Sequence, residues 1–163
     1  MNNEEKLGST DFDFFIGDWH VAHHQLTRRL ADCGEWRQFD GATATRLLLD
    51  GMANVDDNVL NHPDGQYRAV TMRSYDPVAG NWSIWWLDGR FPGRLDVPVT
   101  GRFESGIGTF FADDVFEGKP IRVRFRWDAR DPVAPLWEQA FSPDGGAHWE
   151  TNWVMRFSRS SAD

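Results

Sequence analysis

The chain has 163 residues, a formal charge of −8 at pH 7 and a pI near 5.0. That acidic balance argues against nucleic acid, whose phosphates repel a protein lacking a basic stripe, and against anionic membrane surfaces. The length suits one domain with one core, and the single cysteine, Cys33, excludes an intrachain disulfide.

Residues 1–10 are polar and acidic, with no apolar leader, and read as a flexible tail. No stretch reaches transmembrane length, so the expected location is cytoplasmic, with no membrane partner. From Asp11 the chain becomes aromatic: Asp11-Phe-Asp-Phe-Phe-Ile-Gly-Asp-Trp19. Thr10 or Asp11 is placed to cap a short helical turn that Gly17 ends. Phe12, Phe15 and Trp19 then face one way and plug one end of the fold.

After the plug, strand follows strand. Residues 19–26 alternate, with Trp19, Val21, His23 and Gln25 on one face. Residues 28–38 read as a loop. Strands are predicted over 39–50, 53–60 and 67–75, with Asn61-His-Pro-Asp-Gly65 as a turn between the last two. Asp76-Pro-Val-Ala-Gly80 leads into 82–87, where Trp82, Ile84, Trp86 and Asp88 share a face and Trp85 points away. From Gly101 the pattern repeats through 108–116, 121–127, 136–142 and 149–157. Ile121, Val123, Phe125 and Trp127 oppose Arg122, Arg124 and Arg126.

Turns around Asp131-Pro132 and Pro143-Asp-Gly-Gly146 suggest a register for the last strands. Phe141 pairs with Trp149, Gln139 with Thr151, and Trp137 with Trp153, while Trp127 falls beside Trp137 and Arg126 beside Glu138. Arg124, Glu138 and Asn152 then lie together on the polar face. Outside, they form solvated ion pairs of little energetic weight. Inside, they would bury charge at a cost that only function would justify.

Short strands joined by hairpin turns predict an all-β fold: a single up-and-down antiparallel barrel of about ten strands, residues 11–159, with a second tail over 160–163. The 9 Trp, 12 Phe and 2 Tyr fill such a barrel or line a cavity for a flat apolar ligand. The candidate ligand-binding residues are Trp19, His23, Trp86, Trp127, Gln139, Thr151 and Trp153.

Metal binding is not expected. On a strand His20 and His24 stand roughly 13 Å apart, too far for one ion. His23 is the candidate acid or base, against the plainer reading of a hydrogen-bonded core histidine. Asp56-Asp57 and Asp113-Asp114 alternate faces and cannot form a catalytic couple. Cys33 has no base beside it. No phosphate loop, dinucleotide fingerprint or nucleophile elbow is present, and no cofactor is expected.

The helical plug, Gly17-x-Trp19 and an arginine after the last strand resemble the lipocalin/calycin superfamily. Further stretches carrying the resemblance to a lipocalin-like bacterial family are Asn81-Trp-Ser-Ile-Trp-Trp-Leu-Asp88, Ile121-Arg-Val-Arg-Phe-Arg-Trp127, Trp137-Glu-Gln-Ala-Phe-Ser142 and Trp149-Glu-Thr-Asn-Trp-Val-Met155. The resemblance implies a barrel in which Trp19 packs across the base and Arg159 stacks over it. It implies no activity. Three roles follow as expectations: binding a small hydrophobic molecule, small-barrel enzymology by a pocket His or Arg/Glu pair, or interaction as a homodimer through Trp85.

Overall fold

The computed structural model describes residues 7–160, so the tail positions expected at 1–6 and 161–163 lie outside the described residues. Alternating side chains and tight turns generate ten strands: β1 (Gly17–Leu26), β2 (Trp36–Leu48), β3 (Ala53–Leu60), β4 (Tyr67–Asp76), β5 (Asn81–Asp88), β6 (Val99–Glu104), β7 (Ile107–Phe116), β8 (Lys119–Asp128), β9 (Leu136–Ser142) and β10 (Glu150–Arg159). Each pairs antiparallel with its sequence neighbours, and β1 pairs with β10 to close the barrel. Closure leaves no sheet edge to aggregate. This is the expected all-β, up-and-down, calycin-like architecture.

Three local expectations change. The plug is not one capped turn but two 3-10 pieces, Leu7–Thr10 and Asp13–Phe15, and Phe12 sits at the cap of the second with no side-chain capping bond. Residues 7–10 are therefore ordered chain, and Trp82 donates its indole N–H to the Gly8 carbonyl at 3.2 Å. β2 begins three residues earlier than its apolar pattern, because Trp36 to Gln38 extend the ladder with Leu26 to His24. β6 is the strand left unnamed by the sequence pattern. It is short and meets β5 through only Trp82, Ser83 and Ile84.

The plugged end is built from aromatic rings. Phe12, Phe15 and Trp19 are each almost fully buried. Phe15 stacks on Trp19 with 5.6 Å between ring centroids, and the Trp19 indole N–H donates to the Phe15 carbonyl at 2.8 Å. Trp19 pairs with Arg159 across β1 and β10, and the guanidinium lies 3.7 Å from the indole centroid. Arg159 also donates to the carbonyls of Ile16 (2.9 Å) and Phe14 (3.2 Å). Gly17 has φ of +109°, and a Cβ there would come within 2.8 Å of the Arg159 guanidinium. The positive φ therefore demands glycine, and a side chain there would also push the guanidinium aside.

Arg159→Met should keep the fold and cost about 1–2 kcal/mol in urea unfolding, from the lost stacking and two carbonyl bonds at a solvent-exposed end. An unchanged midpoint would remove Arg159 from the closure of this end.

Candidate functional site

Side chains directed inward leave an interior space of about 190 Å³. Its position follows from strand direction. Trp19, Trp82 and Arg159 mark the plugged end, so Gln25 late in β1, Tyr67 at the start of β4 and Asp88 at the end of β5 mark the other. The floor includes Phe15, Arg73, Trp127 and Phe157. Trp137, Gln139 and Trp153 of β9 and β10 form one wall, Asp56, Asn58 and Thr71 of β3 and β4 lie across from them, and Trp86 of β5, beside Thr71, reaches over to Trp153. The indoles interlock at right angles: Trp86 on Trp153 with 5.7 Å between centroids, and Trp137 on Trp153 at 5.3 Å.

The polar wall is the least expected feature. In β3, Asn54, Asp56 and Asn58 point inward, while Asp57 points out to Arg68 at 2.8 Å. Neighbouring strands supply the partners, because register sets Thr45 and Thr71 beside Asp56 and Arg73 beside Asn54. Arg73 donates to Asp56 and, at 2.9 Å, to Asn54. Thr43 donates to the second Asp56 oxygen at 3.0 Å, and Asn58 donates to Thr71 at 3.2 Å. Arg73 is 3% exposed and Asp56 2%, so this ion pair is almost wholly buried at the edge of the lumen. The Arg73 guanidinium also lies 5.2 Å from the ring centroids of both Phe12 and Phe15, so the plug closes over a buried charge.

Of the residues expected to meet a ligand, Trp86, Trp127, Gln139 and Trp153 line the space, and Trp19, His23 and Thr151 do not. Trp19 lies beneath the plug. His23 is 4% exposed, stacked on Phe39 at 4.6 Å, and accepts the Trp153 indole N–H on Nδ1 at 3.1 Å. Burial is the main cause that lowers its pKa from 6.5 to about 4, so the ring is neutral at pH 7 with its proton on Nε2. It occupies the position of a hydrogen-bonded core histidine.

The pairing expected between β9 and β10 is corrected by a bulge. Phe141 pairs with Glu150 and Ala140 with Thr151, then Gln139 pairs with Trp153 and Trp137 with Met155. The extra residue is Asn152. Trp149 therefore turns outward, with Arg124 4.5 Å from its ring centroid, and Thr151 does not oppose Gln139. Asn152 is fully buried and accepts from Gln139 at 2.9 Å. Its amide nitrogen finds no acceptor among the described residues. Of Arg124, Glu138 and Asn152, only Asn152 is buried, and Arg126 pairs with Glu138 as expected.

His20 lies 3.6 Å from Asp40, and His24 bonds Gln38 at 2.9 Å, both away from the lumen. Trp85 is half-buried on the outer wall opposite Met72. No helix among the described residues is long and apolar enough to cross a membrane.

Sequence reasoning missed Asp56, Asn58, Arg73 and Arg29 as lining residues. A signal exists for the first two: Asn54, Asp56 and Asn58 recur at every second position, as do Thr43 and Thr45 on the strand beside them. An alternating polar face reads as the solvent face unless the closed barrel is known.

Fold and lumen together define a calycin-like closed barrel with an internal space. No family model and no curated protein matches the chain. Among solved structures, it is similar to an S-type phycobiliprotein lyase, CPES, from Guillardia theta, with TM-score 0.60 and 8% identity over 98% of this chain and 97% of that one. At that identity the likeness shows the shared fold alone.

Proposed function

We propose that the protein binds a small aromatic molecule in its lumen. The observation that carries the reading is the combination, in one interior space, of Trp86, Trp127, Trp137 and Trp153 with the hydrogen-bonded polar groups of Asp56, Asn58, Thr71 and Arg73. Apolar walls with sparse oriented polar handles are the usual composition of a small-molecule site. The space of about 190 Å³ falls below the roughly 300–1,000 Å³ of typical pockets. It therefore favours a one- or two-ring ligand, or one that projects from the mouth. The lyase activity in the structural neighbour's name is not carried over.

Naphthalene-2-carboxamide, a flat neutral probe, should quench intrinsic tryptophan fluorescence saturably at 1:1 stoichiometry. Trp86→Ala should weaken that binding about tenfold, the effect expected of a central indole contact. Trp86 is chosen because it lines the space without serving the His23 hydrogen bond. No saturable quenching, or an affinity indifferent to Trp86→Ala, would sink the reading.

A further inference from the structure

Three arginines line the lumen: Arg29, Arg73 and Arg90. Two have carboxylate partners. Arg73 is paired with Asp56 on the polar wall, and Arg90 meets Asp88 at 2.8 Å while its guanidinium covers the Tyr67 ring at 3.7 Å. Arg29 is different. It is partly buried on the β1–β2 loop, and its guanidinium carbon lies 5.4 Å from the centroid of the Phe141 ring. Among the described residues it has no ion pair and no side-chain hydrogen bond.

Its place is built rather than incidental. The Thr27 N–H donates to the Glu35 carbonyl at 3.0 Å and closes the base of the loop. Leu30 takes a positive φ of 53°, and its N–H donates to Glu150 of β10 at 2.7 Å. That bond draws the loop towards β10 and occupies a Glu150 oxygen. The ionisable groups around Arg29 are Tyr67, Arg90, Asp96 and Glu150, and burial pushes its guanidinium below the usual arginine range. Neither Asp96 nor Glu150 reaches ion-pair distance. Asp96 in turn is held above the ordinary carboxyl range, first by burial and then by Asp114. A partly desolvated arginine with no carboxylate at ion-pair distance is unfavourable unless an anion completes it.

We propose that Arg29 receives the carboxylate of an aromatic acid whose ring body lies among Trp86, Trp137 and Trp153. Its fork donates in parallel to both oxygens, as lysine cannot. The unused Arg73 Nε–H on the floor of the lumen also favours a ligand richer in acceptors than donors. The proposal rests on the lumen reading above and adds the chemical class of the ligand.

The test is a set of three probes of matched ring body, titrated at pH 7 by calorimetry: naphthalene-2-carboxylate, naphthalene-2-carboxamide and 2-naphthylmethylammonium. The carboxylate should bind about tenfold or more tighter than the amide, the difference expected of a charge-assisted hydrogen bond. Arg29→Gln should abolish that preference, bringing the affinity of the carboxylate down to that of the amide. Arg29→Lys should keep a reduced preference, and it carries the test if the Gln variant does not fold. Equal binding of acid and amide, or an acid preference that survives Arg29→Gln, overturns the proposal while the lumen reading stands. Tightest binding of the ammonium also overturns it and assigns the mouth to Asp96 and Asp114. Failure of all three probes removes both readings.

Discussion

Asp56→Ala should destabilise the barrel by about 3–5 kcal/mol, because it leaves the nearly fully buried Arg73 charge without its counter-charge. Arg73 is 3% exposed and enclosed by Asn54, Phe12, Phe15 and Trp127. Asn54 would remain as a neutral acceptor, which does not balance a full charge. The loss is a large share of the roughly 5–15 kcal/mol by which domains are stable. The readout is the urea midpoint at constant m-value. The double variant Asp56→Ala/Arg73→Met removes both charges and should recover much of the loss, so the two substitutions are strongly non-additive. A single-variant cost below about 1 kcal/mol, or strict additivity, would show that the pair is not an isolated buried couple.

Acidification from pH 7 to 4 should remove about 3 kcal/mol of stability through His23 alone, and His23→Gln should abolish that contribution. Burial lowers its pKa from 6.5 to about 4, with Asp40 opposing and His20 and His62 reinforcing the shift. The unfolded chain therefore takes up the proton first as pH falls. The stability held by neutral His23 is complete above about pH 6.5, declines towards pH 4, and is constant below that. Each unit of separation corresponds to about 1.4 kcal/mol. Protonation would also cost the bond from the Trp153 indole, because Nδ1 could no longer accept it. His62, lowered by burial and Arg37, acts in the same direction. Asp11, Asp13 and Asp96 are raised and act oppositely. The difference between wild type and His23→Gln isolates the one residue, since Gln can still accept from Trp153. Parallel pH–stability curves for the two proteins would refute the assignment.

Much of the architecture is legible because its causes are local. Turn residues such as Asn61-His-Pro-Asp-Gly65 and Pro143-Asp-Gly-Gly146 punctuate the chain, and two-residue alternation marks the strands between them. Strand count and hairpin connection then require neighbouring strands to pair, and closure places β1 against β10. That closure brings Trp19 and Arg159 together although 140 positions separate them in the chain. β6 escaped because it is short and joined to β5 by three pairs.

The lumen is a different matter. Trp86, Trp127, Gln139 and Trp153 follow from alternation on single strands, and all four line the space. Thr151 does not, because one extra residue at Asn152 shifts the β9–β10 register, and no local propensity announces a bulge there. The arginine that the proposed ligand would meet, Arg29, sits on a loop whose position depends on Glu150, far away in sequence.

What the sequence by itself determined is the periodic and local part: about ten antiparallel strands, with β6 not delimited, an aromatic plug and an indole-rich interior. What only the tertiary structure decided is which face of β3 is the inner one. Alternation says that Asn54, Asp56 and Asn58 share a face, but it is indifferent to which side of the sheet that face occupies. The buried partners Thr43, Thr71 and Arg73 come from two other strands, and they neutralise inward polar groups that would otherwise cost too much to bury. A polar wall is stable only when its partners are assembled, and that assembly is a property of the closed barrel rather than of any one strand.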